Sequence, residues 1–149
     1  MEKIKIFTKN TLRQLLGEIG YDIRENYQGE FWAVKYADET FPHDVVYTFS
    51  VDDEWLNMTG CAEGFGPAEG DEYAVLEVLN QMNMKRVDPV GFYLNCQPQF
   101  RHSIRLGQEM SEEYVKRNGL RFGAYCIHRC FVELYIILQS RGINTVSPF

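Results

Sequence analysis

The stretch LEVLNQMNMKRVDPVGFYLNCQPQFRHSIRL, residues 76–106, leads from a predicted helix into a predicted β-hairpin and decides the class of the fold. Asn80 and Asn83 lie at the edge of the helix's apolar stripe, where an amide left without a hydrogen-bond partner would cost about 1 to 3 kcal/mol. We therefore expect both to be structural residues that hydrogen-bond the backbone between the helix end and the hairpin. The apolar stripe itself consists of Val75, Leu76, Leu79 and Met82.

The second half of the same stretch predicts the hairpin. Residues 91–94 predict one strand, and residues 95–98 have the composition of a turn. Residues 100–106 alternate apolar with polar side chains, which is typical of a strand with one face in the core.

Toward the N-terminus, the sequence predicts a helix and then an antiparallel meander. Thr8 or Asn10 can cap the helix and Gly20 can end it. Its apolar residues recur at i, i+3, i+4 and i+7, as Leu12, Leu15, Leu16 and Ile19. Four β-segments separated by turn residues follow, at 21–27, 31–36, 45–51 and 55–59.

Toward the C-terminus, Ser111 caps a last helix that continues toward Leu138. Asn118-Gly119 and Gly123 are places where this helix could bend or restart. The complete order is α-ββββ-α-ββ-α, which predicts an α+β fold with an antiparallel sheet and helices packed on one of its faces. No repeat or linker divides the chain, so we expect a single domain over residues 1–149.

Charge and hydropathy exclude several classes of partner. Residues 1–89 carry 17 acidic and 8 basic side chains, residues 90–149 carry 4 and 7, and the net charge is −6. An acidic chain repels phosphate backbones, so we expect no nucleic acid partner unless the basic residues of the second part gather on one face. The start of the chain lacks the apolar core of a secretory signal, and the apolar stretch 124–138 is interrupted by charges. We expect a cytoplasmic protein without a membrane partner.

Candidate chemistry is concentrated in the segment CIHRC, residues 126–130. On a helix Cys126 and Cys130 share a face, whereas His128 projects about 200° away from Cys126, so at most two metal ligands converge. We expect core cysteines, no metal, no cofactor and no catalytic residues. The alternative is a regulator that responds to a small ligand or a metal, or less favourably an enzyme that uses Cys126 and Cys130 with His102 or His128.

Excess apolar surface points instead to binding. The last helix is apolar on more than one face, with Tyr125, Val132 and Ile136 forming a separate stripe, and a single sheet face cannot cover so wide a surface. Large rings also fall on both faces of the predicted strands. We expect a partner-binding or dimer surface formed by Phe31, Trp32, Phe92, Tyr93, Phe131 and Tyr135.

Three segments of the sequence, in the order in which they occur along the chain, resemble the YbjN-like family, which shares the fold of type III secretion chaperones. They are LRQLLGEIGY at 12–21, the helix end LNQMN at 79–83, and the strand pair within 91–106 followed by the helix start at Ser111. The resemblance implies a compact, usually dimeric α+β domain without established catalysis. Members are bacterial proteins described as candidate regulators of sensory transduction, and the chaperone relatives bind extended segments of partner proteins.

Together these observations predict a non-enzymatic protein-binding module, chaperone-like or a regulatory adaptor. We expect it to act as a homodimer that engages a polypeptide segment of a partner.

Overall fold

The computed structural model describes residues 7–52, 54–67, 70–106 and 110–143. It is an α+β fold built on one antiparallel sheet, and the predicted order of elements is confirmed. The helices are α1 (Lys9–Glu18), α2 (Glu72–Lys85), α3 (Glu112–Tyr114), a π-helical segment (Val115–Arg121) and α4 (Phe122–Ser140). The strands are β1 (Arg24–Glu25), β2 (Phe31–Lys35), β3 (Val45–Asp52), β4 (Trp55–Ala62), β5 (Val90–Leu94) and β6 (Gln97–Arg105).

The sheet has the strand order β1-β2-β3-β4-β6-β5, with every neighbouring pair antiparallel. Alternate residues of each long strand point to the same face, which the helices cover. One row of this buried face crosses four strands in register, as Phe31, Phe49, Met58 and His102. The α1 residues Leu12, Leu15 and Leu16 and the α4 residues Ile127 and Phe131 complete the core above it.

Asn83 joins α2 to the hairpin through both atoms of its amide. Its Nδ2 donates to the carbonyl oxygen of Gly91 at 2.7 Å, and its Oδ1 accepts from the Gly91 N–H at 2.8 Å. Asn80 does not share this arrangement, because its side chain is exposed on the outer side of α2. Leu76 is likewise exposed and Val78 is buried, so the buried side of α2 is rotated away from Leu76 and toward Val78.

The last helical region is continuous, and Ser111 is its N-cap as predicted. Asn118-Gly119, where a bend or restart was expected, lies within the π-helical segment. The helix has a wider turn there and does not break. Gly119 and Gly123 are points of close approach to the sheet. A Cβ on Gly119 would lie 2.6 Å from Ile104 Cδ1, and a Cβ on Gly123 would lie 2.5 Å from His102 Cδ2.

No helix in the described part of the chain is both long enough and apolar enough to cross a membrane.

Candidate functional site

A trough with a volume of about 840 Å³ runs along the solvent-facing side of α4. Its floor is the side of α4 that faces away from the sheet. One wall is formed at Thr40 in the loop between β2 and β3, and the other by Arg86, Asp88 and Pro89 between α2 and β5. The trough therefore brings together three parts of the chain that are far apart in sequence.

A stripe with alternating spacings of three and four residues forms the centre of the floor. This is the spacing of the a and d positions of a coiled-coil seam. Four of its five residues are apolar or aromatic, and Arg129 lies in the middle. The stripe consists of Phe122, Tyr125, Arg129, Val132 and Ile136.

Hydrogen bonds attach both walls to α4. Arg86 donates to Cys130 Sγ at 3.1 Å and to Glu133 Oε2 at 2.7 Å. Across the floor, Thr40 Oγ1 lies 3.0 Å from His128 Nε2. Each wall is thus joined to α4 by at least one side-chain hydrogen bond.

Asp88 ties the second wall to the core through His102. Its carboxylate accepts a hydrogen bond from His102 Nδ1, while His102 Nε2 lies 3.1 Å from the carbonyl oxygen of Asn118. Both partners are acceptors, so this arrangement favours the protonated imidazole, which can donate from both ring nitrogens. Burial alone would lower the pKa of His102, but the hydrogen bonds and the charge of Asp88 outweigh it and raise the pKa above its usual value.

Arg129 is the cation at the centre of the floor. It donates to Tyr125 Oη at 3.3 Å and stacks on the Tyr125 ring, with its guanidinium carbon 5.8 Å from the ring centroid. In contrast to Arg86, it has no carboxylate within 4.0 Å among the described residues.

The residues weighed for cysteine or metal chemistry do not converge. Burial raises the pKa of the Cys126 and Cys130 thiols, which disfavours the thiolate that a nucleophile or metal ligand requires. Burial and the charge of Lys35 lower the pKa of His128. Within residues 7–52, 54–67, 70–106 and 110–143, no group of three or more His, Cys, Asp or Glu side chains is placed to hold a metal ion.

The six aromatic residues predicted to form one binding surface are dispersed. Phe31 and Phe131 are 2% and 0% exposed in the core, so neither can contribute to a surface, and the prediction is wrong for these two. Trp32 and Phe92 do lie on the uncovered sheet face, but four strand spacings, about 19 Å, separate their strands. Tyr93 and Tyr135 are partly buried against the core.

Sequence reasoning missed several trough residues, although it identified Tyr125, Val132 and Ile136 as a surplus apolar stripe of the last helix. The same spacing of three and four residues adds Phe122 before Tyr125 and places Arg129 between Tyr125 and Val132. Arg86 and Asp88 had no such signal, because only the tertiary fold brings the turn after α2 against α4.

Comparison with known proteins agrees with the fold. No protein-family model and no curated protein sequence matches the chain. Among solved structures, the crystal structure of YbjN from E. coli, named as a candidate transcription regulator, superposes with a TM-score of 0.66. The match covers 95% of this chain and 98% of that chain at 13% sequence identity. The fold is YbjN-like. At so low a sequence identity, the match shows that the two folds are similar and says nothing about a ligand.

Proposed function

We propose that this protein is a non-enzymatic, homodimeric binding module that takes a polypeptide segment of a partner in the trough on α4. The observation that carries the proposal is the exposed apolar stripe on the trough floor. Ile136 is 58% exposed, and Phe122 and Tyr125 are each more than half exposed. Large apolar groups clustered on an open concave surface are typical of a protein-binding groove.

The absence of catalysis in this proposal is supported by how the polar groups of the trough are engaged. Arg86 is paired with Glu133, and Asp88 is paired with His102. A catalytic acid or base needs its proton or lone pair free toward a substrate. Here the Glu133 carboxylate accepts a hydrogen bond from Arg86, and the Asp88 carboxylate is hydrogen-bonded to His102.

The homodimer is supported by a second apolar surface, which we call the α2 face and define as Tyr73, Leu76, Asn80, Met84 and Val87. Met84 is 87% exposed, and Tyr73 and Val87 are similarly open to solvent. Asn80 lies at the middle of this face. In a two-fold interface its amide can donate to and accept from the same amide of the second copy, because an amide carries both groups.

The trough fits a second copy less well. A two-fold pair of stripes centred on Arg129 would bring two guanidinium groups toward each other, which is unfavourable. We therefore assign the α2 face to the second copy and the trough to another polypeptide.

A direct role in binding nucleic acid is not part of the proposal, although the E. coli neighbour is named as a candidate transcription regulator. The net charge is −6. Arg105 pairs with Glu54, and Lys116 bridges Glu18 and Glu113, so these two basic side chains are already neutralised. Regulation through a bound protein agrees better with this charge distribution.

Photo-crosslinking in cells of the native host tests the trough. A benzophenone amino acid replaces Ile136 in one variant and Tyr27, an exposed residue of the turn before β2, in a matched control. The proposal predicts a discrete crosslinked polypeptide at position 136, its loss when Phe122→Ser is added, and no such product at position 27. Equal labelling at both positions, or none at either, would contradict it.

A further inference from the structure

We infer that the occupant of the trough is an amphipathic helix whose apolar residues pack on the floor and whose central carboxylate pairs with Arg129. This inference rests on the proposed function and specifies the partner's chemistry. It has two independent supports, the spacing of the floor and the balance of charge along it.

The length of the floor distinguishes a helix from a strand. From Phe122 to Ile136 the stripe rises by 14 residues, or about 21 Å at 1.5 Å per residue. Its side chains repeat every three or four residues, about 4.5 to 6 Å, and a second helix with the same repeat meets them along the whole length. Side chains on one face of a strand repeat about every 6.8 Å and would lose register with the floor within two contacts.

The charges of the trough cancel everywhere except at the centre of the floor. The Arg86–Glu133 pair has an N–O distance of 2.7 Å, and Asp88 is paired with His102, whose pKa is raised by the hydrogen bond to Asp88 and by its charge. Arg129 is left with a phenol as its partner. A carboxylate from an incoming helix would pair with this guanidinium in a partly desolvated site, where such a pair contributes mainly to specificity.

The position of Arg129 also sets the register of the partner. Tyr125 and Val132 flank it by four and three residues. A polar residue at one seam position restricts which alignment of two helices is allowed, as it does in coiled coils. The matching motif is therefore an acidic residue with apolar residues three or four positions away on both sides.

Selection from a displayed library of random peptides about 20 residues long tests the inference without knowledge of the natural partner. The full chain is used as bait in three forms: wild type, Arg129→Glu and Ile136→Asp. Both substituted residues are exposed, so all three forms are expected to fold. The wild type should enrich peptides with apolar residues at alternating spacings of three and four around Glu or Asp.

Arg129→Glu should enrich the same apolar spacing around Lys or Arg. A peptide selected by the wild type should bind Arg129→Glu roughly tenfold more weakly, and replacement of its acidic residue by Lys should restore binding. Peptides that require Ile136 but lack the helical spacing, or that bind equally well to Arg129→Glu, would overturn the inference and leave the proposed function standing. If no enriched peptide depends on Ile136, the proposed function itself fails.

Discussion

At the scale of the residue, Asn83 gives the clearest link between a sequence signal and a structural role. Gly91 is buried where β5 meets α2, and a Cβ there would lie 3.0 Å from Cδ2 of the α2 residue Leu79. The strand backbone therefore comes very close to the helix end. Both backbone groups of Gly91 receive a partner from the one amide of Asn83.

Replacement of Asn83 by Ala should lower the free energy of unfolding by about 1 to 3 kcal/mol, because it leaves two backbone groups of Gly91 without partners. Urea denaturation measures the change. Gln81→Ala is the matched control, since this exposed amide on the same helix only accepts from Arg141 at 3.1 Å and should change stability by less than about 0.5 kcal/mol. Equal changes in the free energy of unfolding for the two substitutions would contradict the anchoring role of Asn83.

A second prediction at the residue scale concerns His102 and the way in which stability depends on pH. Its pKa is raised in the folded protein above the value of 6.5 that an unperturbed histidine has. Its contribution to stability is therefore complete below about pH 6.5 and is lost as the pH rises through the raised pKa.

The stability difference between wild type and His102→Gln should accordingly shrink as the pH rises above about 6.5. Urea denaturation of both proteins across this range measures it. A difference that grows with pH would mean that His102 is neutral in the folded protein, contrary to its two hydrogen bonds to acceptors.

At the scale of the element, the contact between the last helix and the sheet depends on glycine. Gly123 lies against the ring of His102, whose position is held at both nitrogens. The ring cannot move aside without losing a hydrogen bond. The spacing of Gly119 and Gly123 by four residues places both on the side of the helix that faces β6.

Gly123→Ala should therefore destabilise the fold by about 1 to 3 kcal/mol through overpacking. Gly17→Ala is the contrasting helical glycine, because a Cβ there meets nothing within 4 Å. Alanine favours the helix by about 0.5 to 1 kcal/mol over glycine, so Gly17→Ala should raise the melting temperature while Gly123→Ala lowers it. The same direction of change in both variants would contradict this account.

The elements were predictable where local patterns decide them. The Leu12–Leu15–Leu16 spacing, the alternation through Val45, Tyr47 and Phe49, and the cap at Ser111 all appear in the fold as expected. The exact rotation of α2 was not predictable, because both Leu76 and Val78 are apolar and only tertiary packing selects Val78.

The candidate site was predictable only in part, for a similar reason. A surplus of apolar residues on the last helix is visible in the sequence, but aromatic residues in strands do not reveal which side they face. Phe31 is buried and its neighbour Trp32 is on the opposite face, as alternation requires. The walls of the trough come from turns, whose positions no periodicity encodes.

At the scale of the whole molecule, the proposal assigns two apolar surfaces to two different occupants. The α2 face carries a self-complementary amide at Asn80, and the trough carries a cation at Arg129 that repels its own copy. If both assignments hold, the trough remains open to another polypeptide when the protein is assembled.

Solution mass by light scattering tests this assignment most directly, on wild type, Met84→Asp and Ile136→Asp. A charge at the centre of an apolar interface costs several kcal/mol, so the substitution in the surface that binds the second copy should dissociate the dimer. We predict a dimeric wild type, a monomeric Met84→Asp variant and a dimeric Ile136→Asp variant. A monomeric wild type would contradict the proposed homodimer. A dimer that Ile136→Asp disrupts and Met84→Asp does not would contradict the assignment of the two surfaces, because the trough would then bind the second copy.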